Sequence, residues 1–372
     1  MNAVKELSNF GQSIWFDYIQ RNMLDSGELT RLIDVDGVSG VTSNPSIFQA
    51  AITGGDEYLV DIQKSAAEGK SVMEAYESLA IADIQKACDI MRPVFDAAAG
   101  NDGYVSMEVS PYLANETEAT IEEARRLYKT INRKNVMIKV PATAAGIPAV
   151  ETLISEGINI NVTLLFSVEM YRQVMEAYLA GLEKRSQYGD LSHGSVSVAS
   201  FFVSRVDTLA DELLEKTIAV ETNAERKQAM QACLGSAAVA NARLAYRAYE
   251  EVFSSERFKK LAAYGARKQR VLWASTGTKN PAYSDVKYIQ ELIAPESVNT
   301  VPPTALEAFR DQGIVKNALA IPADDAQILA NLKACGVDIA QVTEQLLDEG
   351  VTKFSQAFDK LLNAVEEKMK AA

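Results

Sequence analysis

The sequence predicts an α/β fold: one (β/α)8 barrel of the TIM type with additional helices and a C-terminal helical segment. Eight short apolar runs recur along its 372 residues. Between them lie amphipathic segments whose apolar residues repeat at three- and four-residue spacing. Strands separated by helices pair in parallel through right-handed crossovers, and eight such units match a closed barrel better than an open sheet. The open sheet would normally carry a glycine-rich turn after its first strand, and neither G-x-G-x-x-G nor G-x-x-x-x-G-K-[ST] occurs in the chain.

In order, the strand runs are "SIWFDYI" (13–19), "GVTSNP" (40–45), "YVSMEVS" (104–110), "VMIKVPA" (136–142), "INVTLLF" (160–166), "SVSVASFFVS" (195–204), "RVLWAST" (270–276) and "NTVPP" (299–303). Helical patterns such as "TEATIEEARRLYKTINRK" and "SVEMYRQVMEAYLAGLEKR" fill the gaps. The intervals 46–103 and 205–269 are each long enough for two or more helices and are read as insertions within one domain, 1–372. Residues 322–372 read as a helical extension packed on that domain, either covering the core or acting as a lid. Gly350, after Asp348 and Glu349, is where one helix of this extension could end and the next begin.

Composition removes several function classes. Hydrophobic residues make up 48%, ample for a packed core and too many for a disordered chain. No run approaches the roughly 20 apolar residues of a membrane span, and the N-terminus lacks a basic start followed by an apolar signal core, so a cytoplasmic protein with no membrane partner is expected. Formal net charge is -13, the acidic residues are spread through helices, and the largest basic cluster is "ARKQR" (266–270), which argues against nucleic acid as a partner. Three scattered cysteines indicate neither a disulfide framework nor a zinc site. The lone histidine, His193, reads as an exposed loop residue, and a single histidine removes most metal and histidine-based catalytic schemes, so no metal is expected.

Reactive groups of such a barrel sit near the C-terminal ends of its strands. Nearly every run carries a polar residue there that a core would not choose: Asp17, Asn44, Glu108, Lys139, Asn161 with Thr163, Ser200 with Arg205 just beyond, and Ser275. Singly, an Asn, Thr or Ser at a strand end is most often a turn-former or helix cap. Their convergence on one mouth is what points to chemistry.

Alternation in "VMIKVPA" sets Val136, Ile138 and Val140 on one face and Met137 with Lys139 on the other, so Lys139 points into the barrel if the valines meet the helices. Burial disfavours an ammonium and makes a neutral amine available. Lys139 could instead be half of a structural ion pair with Glu108 or Asp17, but such a pair stabilises poorly compared with an apolar replacement. A lysine amine attacking a carbonyl gives an iminium, an electron sink for breaking or making a neighbouring carbon–carbon bond. Asp17 and Glu108 could divide the accompanying proton transfers. Asn44, Asn161 and Ser200 suit a polyol, and Arg205 suits a phosphate.

"TSNPSIF", "SMEVSP", "IKVPAT", "GININVTLLFS" and "ASFFVSRVD" together, in this order and spanning about residues 10–310, resemble the transaldolase family of Schiff-base enzymes. The length and "WASTGTKNP" resemble its longer bacterial-type branch. The resemblance implies Lys139 as nucleophile, Asp17 as acid/base at the cleaved bond, and Glu108 acting through a water with help from Thr163. It further implies Asn44, Asn161 and Ser200 around a dihydroxyacetone unit, Arg205 on a phosphate, and no cofactor. The reaction implied is transfer of that unit from sedoheptulose 7-phosphate to glyceraldehyde 3-phosphate, giving erythrose 4-phosphate and fructose 6-phosphate. Shorter members carry a second phosphate-binding arginine straight after an Ala-Ser pair on strand seven. Here Ala274-Ser275 is followed by Thr276-Gly277-Thr278-Lys279, and Lys279 is assigned as the replacement cation beside Ser275. An aldolase acting on fructose 6-phosphate and a catalytically dead barrel used as a binding module are the rival readings. Oligomeric state, homodimer or monomer, is left open by the sequence.

Overall fold

A computed structural model describes residues 2–192 and 194–371; the reading of His193 falls outside them. Eight parallel strands close a barrel in strict sequence order, with β8 hydrogen-bonded back to β1. They are β1 (Gln12–Phe16), β2 (Val38–Thr42), β3 (Tyr104–Glu108), β4 (Val136–Pro141), β5 (Ile160–Leu165), β6 (Ser197–Phe202), β7 (Arg270–Ala274) and β8 (Ser297–Val301). All eight expected strands are present, but each ends one to three residues before its apolar run. The polar residues closing those runs, Asp17, Asn44 and Ser275 among them, belong to the βα loops.

Strands β4, β5 and β6 are buried along their whole length, as strands packed on both faces must be. The floor of the barrel is filled by Trp15, which is fully buried and donates from Nε1 to Asp102 Oδ1 at 2.7 Å. Gly40 on the neighbouring strand makes room for it, since a Cβ there would lie 2.5 Å from the indole ring. The cavity bordered by Lys139 lies toward the other end, among the residues that follow the strands.

The interval 46–103 holds three helices, Pro45–Gly54, Leu59–Ala67 and Val72–Ala97, the last begun by a Ser71/Glu74 capping box. The interval 205–269 holds four, starting with Ser204–Val220. The C-terminal helix needs a correction: Gly350 does not separate two helices but lies inside one of 32 residues, Ile339–Lys370. It is buried, and a Cβ on it would stand 3.0 Å from Leu164 Cδ2 at the end of β5. The glycine therefore permits close approach and is no helix end. The helix packs against Pro45–Gly54, Leu59–Ala67, Val72–Ala97, Ser204–Val220 and β5, burying Phe358, Leu361 and Val365. Gly350→Leu is expected to lower stability by about 1 to 3 kcal/mol through overpacking, measured by urea denaturation, although leucine is the better helix former. An unchanged midpoint would mean that this approach is not close-packed.

Candidate active site

The site begins at β4. Lys139 pairs in register with Glu108 on β3 and Asn161 on β5, so alternation puts the three side chains in one layer of the barrel interior. Lys139 is only 6% exposed. Its Nζ donates to the Ser43 carbonyl at 2.9 Å and forms an ion pair with Glu108. Burial thus does not act on a lone ammonium, because a carboxylate and a carbonyl compensate it. The Ser43 carbonyl is fixed by its surroundings: Ser43 Oγ donates to Ser106 O at 2.8 Å, and Asn44 caps the helix Pro45–Gly54 by accepting from Ile47 N at 3.0 Å. Proline at the first helical position completes that turn. Asn44 is therefore a cap, as such residues usually are, and also lines the cavity with its amide NH2 uncommitted to the cap.

Across the mouth lies Asp17, one residue past β1. Thr42 Oγ1 donates to Asp17 Oδ1 at 2.6 Å and lies 2.5 Å from Thr300 Oγ1. With Asp17 ionised the chain runs Thr300 to Thr42 to Asp17, each hydroxyl donating to the next; protonation of Asp17 can reverse it. Part of the Asp17 surface is open to the cavity, yet protein crowds it on every other side. Desolvation raises its pKa from 3.8, outweighing the hydrogen bond from Thr42 and the fields of Lys139, Lys279 and Arg205. Burial also raises Glu108 above its ordinary value, with Lys139 opposing. A carboxylate so placed accepts a proton from the neighbouring ammonium more readily than an exposed one.

Thr163 is 2% exposed, and its hydroxyl finds no hydrogen-bond partner among the described residues. It borders a cavity of about 20 Å³ together with Glu108 and Lys139, room for one water. Leu164, the next residue, has φ +61°, and the β5–β6 register shifts between Val162 and Leu165. Such a bulge re-aims neighbouring side chains. Asn161 differs from the rest in being fully buried beneath the cavity. It accepts from Ser200 Oγ at 2.6 Å and donates to Ser106 Oγ at 3.1 Å, so it reaches the cavity through Ser200.

The larger cavity, about 230 Å³, is bordered by Asp17, Asn44, Lys139, Thr163, Ser200, Arg205, Ser275 and Lys279. Eight of the ten residues picked from the sequence thus meet at one space, while Glu108 lies behind Lys139 and Asn161 beneath Ser200. Arg205, in the first turn of Ser204–Val220, holds its guanidinium 5.2 Å from the centre of the Phe202 ring. Burial lowers its pKa, against the fields of Glu349 and Asp17. Ser275 has φ +55°, and its Oγ lies 3.0 Å from Ser204 Oγ. This strained turn joins the end of β7 to the positive end of the Arg205 helix. Lys279 stands exposed on the rim. Arg205 and Lys279 thus border the same cavity as Lys139 and Asp17, a distribution of charge suited to a phosphorylated carbonyl compound.

Three contributors were not singled out in the sequence. Thr42 was legible, because the alternation that turns Gly40 inward also turns Thr42 inward. Thr300 sits in the unremarkable run "NTVPP". Phe354, which borders both cavities from the C-terminal helix, carries no local signal.

A closed parallel barrel with a buried lysine paired to one carboxylate, on a cavity shared with a second carboxylate and two more cations, suits a (β/α)8-barrel enzyme of phosphorylated carbonyl compounds. Residues 14–365 match the family described as Transaldolase/Fructose-6-phosphate aldolase, and the chain belongs to that family. Among similar proteins, "Transaldolase" of Trichodesmium erythraeum is 48% identical over 99% of this chain and 98% of its own. "Transaldolase" of Mycolicibacterium smegmatis is 49% identical over 98% and 97%, and "Transaldolase 1" of Streptomyces avermitilis 50% over 97% and 94%. The resemblance carried by the five motifs thus extends through the C-terminal helix. Among the described residues no helix is long and apolar enough to cross a membrane.

Proposed function

We propose that the protein is a cytoplasmic transaldolase, one barrel domain with 322–372 as its helical extension, which moves a dihydroxyacetone unit from sedoheptulose 7-phosphate to glyceraldehyde 3-phosphate through a Schiff base on Lys139. The observation that carries the reading is buried Lys139, backed by Glu108, on a cavity that Arg205 and Lys279 also border. Transfer of the Lys139 proton to Glu108 frees the amine to attack the ketose carbonyl. Glu108 then protonates the carbinolamine hydroxyl, through a water in the 20 Å³ cavity held by Thr163, and water leaves. Asp17 removes the proton of the sugar hydroxyl whose carbonyl forms as the carbon–carbon bond breaks, and returns it when the acceptor aldehyde is attacked. Asn44 and Ser200 hold hydroxyls, with Asn161 fixing Ser200. Arg205, Lys279 and the Ser275 turn receive the phosphate, and no cofactor enters these steps.

Borohydride reduction in the presence of fructose 6-phosphate is expected to attach the reduced three-carbon unit to Lys139, located by peptide mass spectrometry; no adduct there would overturn the reading. Coupled assays with and without erythrose 4-phosphate separate transfer from the rival release of free dihydroxyacetone. At the phosphate end, Arg205→Met is expected to raise KM for phosphorylated ketoses about 10- to 150-fold, the value of a charged hydrogen bond. Lys279→Met should cost less, because an exposed ammonium binds as a screened point charge. Equal losses at both positions would show that Lys279 replaces an arginine in full.

A further inference from the structure

Glu108 does not border the 230 Å³ cavity that holds Asp17 and Arg205. Beyond the one-water cavity, it opens on its other side into a separate cavity of about 330 Å³. That space lies between the helices Val72–Ala97 and Thr117–Ile131, the segment following β3 and the C-terminal helix. Its inner end is Ser43, Asn44 and Glu108. Near solvent it meets the Arg126–Glu77 ion pair, at 2.5 Å, and Tyr112, which is 51% exposed. One wall is a run of edge-to-face rings, Phe48–Tyr76, Tyr76–Phe358 and Phe358–Tyr112, with centroids 6.0, 5.4 and 5.4 Å apart. Tyr76 lies within the fields of Glu108, Glu77 and Glu123 together. Polar groups at both ends of the space offer hydrogen bonds to water that enters it.

Schiff-base chemistry needs that traffic. As the carbinolamine C–O bond breaks, the nitrogen lone pair forms C=N, the departing hydroxyl takes a proton from Glu108, and one water must leave. On hydrolysis one water returns its oxygen to the imine carbon and a proton to Glu108. On the Schiff-base reading a bound sugar phosphate would fill the 230 Å³ side, and Val351 with Phe354 borders the small cavity. We propose that the 330 Å³ cavity is a dedicated water passage to Glu108, through which the water of imine formation leaves and the water of hydrolysis arrives while substrate fills the mouth.

The proposal rests on the Schiff-base reading above, and oxygen exchange tests it separately. Fructose 6-phosphate is incubated with the protein in 18O-water, without acceptor, and uptake of label at the ketose carbonyl is followed by mass spectrometry. Met73→Trp, which fills the passage from the helix Val72–Ala97 at a residue that does not border Lys139's cavities, is expected to slow enzyme-dependent exchange at least about fivefold, as when transport and not chemistry limits turnover. The borohydride adduct on Lys139 should still form. Leu127→Phe, narrowing the passage from the facing helix, should repeat the loss, whereas Met73→Ala, which widens it, should exchange at least as fast as wild type. Exchange at the wild-type rate in both narrowed variants, or equal slowing by Met73→Ala, would overturn the passage. Absence of the adduct in the wild-type protein would instead overturn the Schiff-base reading.

Discussion

Lys139→Arg is expected to abolish transfer, with less than about 1% of wild-type turnover, while the protein remains folded. Arginine keeps a positive charge beside Glu108, but a guanidinium stays protonated and cannot form an imine. Borohydride should then leave no adduct at residue 139. Lys139→Ala would be the poorer test. It strands Glu108, whose side chain is 10% exposed, without its partner. Removing half of a buried pair costs about 3 to 5 kcal/mol, so lost activity would be confounded with lost stability. Turnover above the 1% level in the arginine variant would move the nucleophile elsewhere. Peptide mapping of the adduct decides the matter without relying on the rate alone.

Much of this site was legible because a barrel maps strand order onto position around a ring. Polar residues ending successive strands must meet at one mouth, and the period-2 alternation in "VMIKVPA" suffices to aim Lys139 inward. What alternation cannot give is depth. Asn161 and Lys139 share a layer, yet Asn161 is sealed beneath Ser200, because its hydrogen bonds to Ser200 and Ser106 close the space over it. Nor does it give the surroundings of a charge. An ammonium costly in isolation is here compensated by Glu108 and the Ser43 carbonyl, which alternation alone does not reveal. The C-terminal helix was the least legible part. Gly350 resembles a helix stop by every local rule, and only its closeness to Leu164, 186 residues away in sequence by simple subtraction, shows that it is a packing residue inside a helix. Phe354 was hidden for the same reason, since its place over the cavity follows from that packing.

Asp17→Asn is expected to separate the two halves of the reaction. Transfer should fall by about a hundred- to ten-thousand-fold, the usual worth of a positioned general acid or base, while borohydride still traps fructose 6-phosphate on Lys139, because imine formation relies on Glu108. Loss of trapping along with transfer would instead place Asp17 in the first half. The wild-type rate should fall on the acid side through a pKa displaced above 3.8, since the base form is needed and burial raises it. That limb should vanish from the residual activity of the variant. Stability carries the opposite sign. A carboxyl whose folded pKa is raised favours folding fully below 3.8, and this contribution is lost as pH rises through the raised value. Glu108, raised by the same desolvation, adds to the trend from its own ordinary value of 4.5. Asparagine cannot ionise, so urea midpoints compared at pH 4 and pH 7 should fall less for the variant than for wild type, with the remaining slope owed in part to Glu108. An equal fall in both proteins would mean that the fields of Lys139, Lys279 and Arg205 offset the cost of burying Asp17. The site would then spend no stability to keep its base available, and Asp17 would titrate as an ordinary carboxylate.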